Sequence, residues 1–148
     1  MNSPIIKKRR SLFRRRRSVE NRRGSSAVEC AFCIPVVMLI MFGTLETCSG
    51  VFLKETLTVT AYEGCRVGVR RRATRTDVIN ECNAVLAARG VTGATVSVTP
   101  ADFSTLSALD PISVTVSAPT NGNSTYIFNF MADRSVSARV TMVREFDD

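Results

Sequence analysis

The junction Gly24-Ser25 and the carboxylate Glu29 are the grouping in this sequence whose residue types and spacing suggest chemistry. They lie in "RRGSSAVECAFCIPVVMLIMFGTLE", Arg22 to Glu46, where a basic stretch gives way to an apolar run. A glycine leaves the backbone unhindered, so a peptidase would have access to an extended bond after Gly24. Hydrolysis there would give Ser25 a positive α-amino group. Glu29 is the fifth residue counted from Ser25, one helical turn along and about 6 Å away in axial rise. A carboxylate at mid-bilayer costs about 2.5–3.5 kcal/mol, and less near the edge. The new amine, on the same chain or on a neighbouring subunit, would supply its partner. The competing reading is a carboxylate solvated by headgroups and water at the membrane edge.

The elements that must position these residues are set by charge and hydropathy. The chain has 148 residues, 20 of them Lys or Arg and 13 Asp or Glu, for a net charge of +7. The excess is concentrated at the N-terminus, where Lys7, Lys8, Arg9, Arg10, Arg14 to Arg17, Arg22 and Arg23 face Glu20 alone. From Ser25 onward the chain is nearly neutral and slightly acidic. Such a leader fits a nucleic-acid tail or the cytoplasmic flank of a membrane helix. The residues after it favour the helix. Ala27 to Leu45 holds a single charge, and at about 1.5 Å per residue it covers a hydrocarbon core of roughly 30 Å. The positive-inside rule keeps the arginines in the cytoplasm and exports the residues beyond Leu45.

Three regions are therefore expected: a basic cytoplasmic leader (1–24), a transmembrane helix (25–46) and an extracytoplasmic domain (47–148). The leader lacks apolar periodicity and is expected to be unstructured alone, with the helix starting directly after Gly24. Pro35 removes a backbone donor and is expected to kink that helix. Glu46 is read as marking the opposite membrane interface.

Beyond Leu45 a helical pattern continues through "ETCSGVFLKETLTVTAYEGCRVGVRRR", with Val51, Leu53, Leu57, Ala61 and Val67 at loosely helical spacing. A second helix is expected in "TRTDVINECNAVLAARGV", capped by Thr74 or Thr76, with an apolar face of Val78, Ile79, Cys82, Val85 and Leu86 and a stop at Gly90. From Ala94 the period changes to two. "ATVSVT", "ISVTVSA" and "SVSARVTMVREF" alternate apolar and polar residues as half-buried strands do. "YIFNFM" is a further short strand or helix. The fold class is α+β: a long N-terminal helix, a second helix and a small antiparallel sheet of three or four strands.

The cysteines divide by location. Cys30, Cys33 and Cys48 lie in or beside the apolar run and read as small helix residues. Cys65 and Cys82 fall in the exported part, where oxidising conditions could pair them as a disulfide, given a close approach that the sequence does not show. The absence of His excludes His-dependent catalysis and His-ligated metal sites. No catalytic set, metal cluster or phosphate loop appears, so no cofactor is implied and the chain reads as an enzyme's substrate, not an enzyme. A twin-arginine signal fails because the apolar run is long and no A-x-A site comes after it. A lipoprotein reading at Cys48 fails because Glu46 stands where a small or apolar residue is required.

Gly24 followed by four small or apolar residues, then Glu29 and an apolar helix, resembles the class III signal sequence of type IV pilins. The longer string, through Arg23, Gly24, Ala27, Val28, Glu29, Ala31, Pro35, Phe42, Gly43 and Glu46, resembles the N-terminus of TadE-like proteins, minor or pseudo-pilins of tight-adherence (Tad/Flp) pilus systems. "AYEGCRVG" is similar to a later segment of that family. Cys30 and Cys33 depart from its usual pattern. The resemblance implies cleavage after Gly24 by a prepilin peptidase at the cytoplasmic face of the inner membrane. Other pilins, the assembly machinery and membrane lipid would be partners, and nucleic acid would not. The alternative is an uncleaved single-pass anchor with an extracytoplasmic binding domain.

Overall fold

A computed structural model describes residues 20–104, 106–124 and 132–144. The first nineteen residues of the leader, and the further element expected at "YIFNFM", lie outside them. The described elements are α1 (Glu20–Gly68), α2 (Arg75–Ala88), β1 (Thr95–Thr99), β2 (Pro111–Pro119) and β3 (Ser135–Val143). This is the expected α+β order, with three described strands. The chain divides into two compact units, Met1–Leu39 and Ile40–Asp148.

In the first unit the helix begins at Glu20, ahead of the expected start after Gly24. Glu and Arg are good helix formers, and a glycine inside a helix costs only about 1 kcal/mol relative to alanine. The chain therefore has no strong reason to leave the helix at the junction. Pro35 sits inside the helix without ending it.

In the second unit, Leu53, Leu57, Ala61 and Cys65 recur every four residues along α1 and are all buried. The stripe meets Val78, Cys82 and Leu86 of α2. It also meets the alternating Ile112, Val114, Val116 and Ala118 of β2. Val98, Phe103 and Ala138 complete this core. The spacings of four and two are what one helix face and one sheet face require.

β2 is the middle strand, with antiparallel partners on both sides. The register sets Val98 and Val140 beside Val114. Of the face expected on β3, Ala138 is buried while Val136, Val140 and Met142 are half-buried, because β3 is an edge strand. The alternate face is polar and self-satisfied. The hydroxyls of Thr95 and Ser117, and those of Ser113 and Thr141, lie 2.7 Å apart. Arg139 Nε donates to Thr115 Oγ1 at 2.9 Å.

Both ends of α2 are dictated by its sequence. Of the two candidate caps, Thr74 is the one used. Its hydroxyl accepts from the Asp77 N–H at 3.2 Å, and the Asp77 carboxylate accepts from the Thr74 N–H at 2.9 Å. That reciprocal pair is a capping box. At the other end Gly90 adopts φ +68. The Gly90 N–H donates to Ala87 O and the Val91 N–H to Leu86 O, which closes a Schellman turn that glycine enters without steric cost. The Asn123 side chain bonds both backbone groups of Thr92 and the carbonyl of Pro119, each at 2.8 Å.

Candidate processing and anchoring site

Gly24, Ser25 and Glu29 lie on the exposed N-terminal part of α1. A Cβ added to Gly24 would meet nothing within 4 Å, so the glycine is not required by packing. Ser25 donates its hydroxyl to Glu29 Oε1 at 3.4 Å across one turn. The pair expected to come together at this junction is thus on one face of the helix, with the hydroxyl of Ser25 as the group now facing the carboxylate. The bond after Gly24 is helical, not extended, so cleavage there requires the first turns to open. The first four N–H groups of a helix have no intrahelical acceptor, which makes such fraying cheap. Gly24 lowers the cost further.

The residues beyond Glu29 carry most of the anchoring character. Phe32, Ile34, Val36 to Met41 and Leu45 are all exposed, Phe32 to 75%. Exposed apolar surface of this extent marks an interaction with lipid or protein. Among the described residues α1 is the helix long and apolar enough to cross a membrane, and it fits a single-pass anchor. The hydroxyls within it are satisfied locally, Thr44 on Ile40 O and Thr47 on Gly43 O, both at 2.8 Å. A helix in lipid has to satisfy its polar groups in this way.

Glu46, expected to mark the far interface, is buried. It is 1% exposed and has an interaction of its own. Its position on α1, seven residues before Leu53, puts it on the stripe that turns toward the core and not on the outward face.

The cysteines separate as their positions require. Cys30, Cys33 and Cys48 are exposed, and Cys65 and Cys82 are buried free thiols. The expected Cys65–Cys82 disulfide is not formed in this structure. Each sulfur instead meets a carbonyl: Cys65 Sγ lies 3.2 Å from Val140 O, and Cys82 Sγ lies 3.7 Å from Thr60 O. Burial raises the Cys65 thiol above its ordinary pKa. Burial, with smaller contributions from Cys65 and Glu81, raises Cys82 to about 11. Both are held as thiols at neutral pH.

Gly64 and Gly68, which weaken the helical pattern in the sequence, form the notch that admits α2. A Cβ on Gly68 would lie 3.2 Å from Val78 Cγ2 and 3.4 Å from Ile112 Cγ2. Their spacing of four, which puts both on one helix face, was the available signal for a close approach.

The segment from the junction through this notch also has a counterpart among known proteins. Residues 24–66 match the family model described as TadE-like protein. The TadE-like segment thus begins at Gly24 and ends at Arg66, covering the junction, the apolar helix and "AYEGCR". No curated protein and no solved structure matches the chain.

Proposed function

We propose that this protein is a TadE-like pseudopilin or minor pilin of tight-adherence pilus biogenesis, processed after Gly24 by a prepilin peptidase. The observation that carries the reading is the register of Gly24, Ser25, Glu29 and an exposed apolar helix within one TadE-like segment. The arginine-rich leader keeps the N-terminus in the cytoplasm and places the helix in the inner membrane, with the α2–sheet domain on the far side. Cleavage removes that leader and exchanges it for the α-amine of Ser25, one turn from Glu29. The amine then neutralises the carboxylate within the chain or docks against the Glu29 of a neighbouring subunit. The protein acts here as a substrate and an assembly component.

N-terminal sequencing of the membrane-extracted protein tests the reading. A mature chain beginning at Ser25 is expected, and a chain still beginning at Met1 beside an active peptidase would refute the processing step. A Gly24→Ala variant unchanged in both size and activity would favour the uncleaved anchor.

A further inference from the structure

Glu46 is where the sequence ends the span, but it is buried inside the second unit and presents no charge to the surroundings. On the outward face of α1 the apolar surface continues. Leu45 is 51% exposed, Val51 60% and Phe52 67%, and Cys48 is exposed between them. Apart from Glu46, no charged residue occurs between Glu29 and Lys54. From Gly24 to Phe52 the helix rises about 42 Å at 1.5 Å per residue. That length matches the roughly 40–45 Å of a bilayer with its interfacial regions, where the segment ending at Glu46 spans little more than the hydrocarbon core.

Phe52 also borders a groove of about 430 Å³, lined with Ser49 and Thr56 on the same helix and with Arg89, Gly90 and Asn123 from the domain. Arg89 is exposed there, at the C-terminal cap of α2. A guanidinium at this level is complementary to a lipid phosphate.

We infer that the base of the α2–sheet domain is seated in the far leaflet, with Leu45 in the hydrocarbon, Val51 and Phe52 at the level of the headgroups and Arg89 facing lipid phosphate. The inference rests on the reading that α1 crosses a membrane, and it moves the outer boundary of the embedded surface from Glu46 to the edge at Lys54. Continuity with the exposed span argues for lipid as the occupant, since no charged side chain interrupts the outward surface.

Site-directed spin labelling of the full chain, with Cys30, Cys33 and Cys48 replaced by Ser, tests this in phosphatidylethanolamine–phosphatidylglycerol vesicles. Single cysteines at Leu39, Val51, Phe52 and Tyr62 would be labelled, and collisions with oxygen compared with those of an aqueous nickel chelate. Labels at 51 and 52 are expected to favour oxygen several-fold relative to the label at 62, by less than at 39, while the label at 62 favours nickel. If 51 and 52 behave like 62 while 39 favours oxygen, the lipid seat is overturned and the membrane-crossing reading survives. If 39 also favours nickel, both fall. Labels at 51 and 52 shielded from both reagents would mean that a protein neighbour covers the face, and would overturn the lipid assignment. Adding Arg89→Glu is expected to shift the label at 52 toward nickel in these anionic vesicles. No shift would overturn the phosphate contact.

Discussion

Gly64 and Cys82 meet with no room between them: a Cβ built on Gly64 would stand 2.4 Å from the sulfur of Cys82. Val78 and Val114 close the same space at 3.5 Å on either side. Cys82 is fully buried, so its sulfur has no open direction in which to turn.

Gly64→Ala is therefore expected to destabilise the second unit by about 1–2 kcal/mol, an overpacking cost only partly offset by alanine's better helix propensity. Chemical denaturation would measure it. The Gly64→Ala/Cys82→Ala double variant should be more stable than the sum of its single changes, because the second removes the atom that the first collides with. Additive effects would show that α2 shifts to absorb the methyl group.

The capping box gives a prediction about acid. The hydrogen bonds from Thr74 hold the Asp77 carboxyl below its ordinary pKa. A depressed folded-state pKa contributes stability above the unfolded value of about 3.9, and that contribution is lost as pH falls through the folded value. Thr74→Ala should cost about 1 kcal/mol at neutral pH through the lost cap. It should also flatten the acid limb of stability against pH below about 4. An acid limb of unchanged slope would show that the pair does not cause the shift.

The buried thiols predict the opposite limb. Cys65 and Cys82 both titrate above the ordinary thiol range, Cys82 near 11. A raised folded-state pKa contributes stability that is complete below the unfolded value of about 8.5 and lost as pH rises toward the folded one. Stability should fall between about pH 8.5 and 11, and Cys82→Ala should reduce that fall. Alkylation of the native protein near pH 8 should leave Cys65 and Cys82 unmodified until unfolding, without any reductant. Resistance to alkylation that persists after unfolding would reveal a disulfide instead.

Gly24→Ala separates folding from processing. The side chain would point into open space, and alanine favours the helix by about 1 kcal/mol. The variant is expected to insert and fold normally while cleavage is lost or slowed, visible as retention of the full leader by mass spectrometry. Wild-type cleavage kinetics would show that the peptidase does not read this position.

The sequence by itself determined most features that depend on local composition or period. The uncharged run from Cys30 to Leu45, the Thr74 cap, the Gly90 stop and the change to period two are short-range patterns, and the described elements obey them. The sequence also placed Ser25 and Glu29 one turn apart, since helical spacing needs no tertiary context. It did not determine which side of α1 faces what. That Glu46 is buried is not visible in its own surroundings in the sequence, and Gly64 and Gly68 look like helix weaknesses until α2 fills the notch. Cys65 and Cys82 are a possible disulfide pair by sequence, and in the fold each sulfur lies against a separate carbonyl. Burial and approach depend on residues tens of positions apart, so only the tertiary structure decided them. Local propensity likewise carried the helix past Gly24, because no breaker stands between Glu20 and Ser25 strong enough to end it.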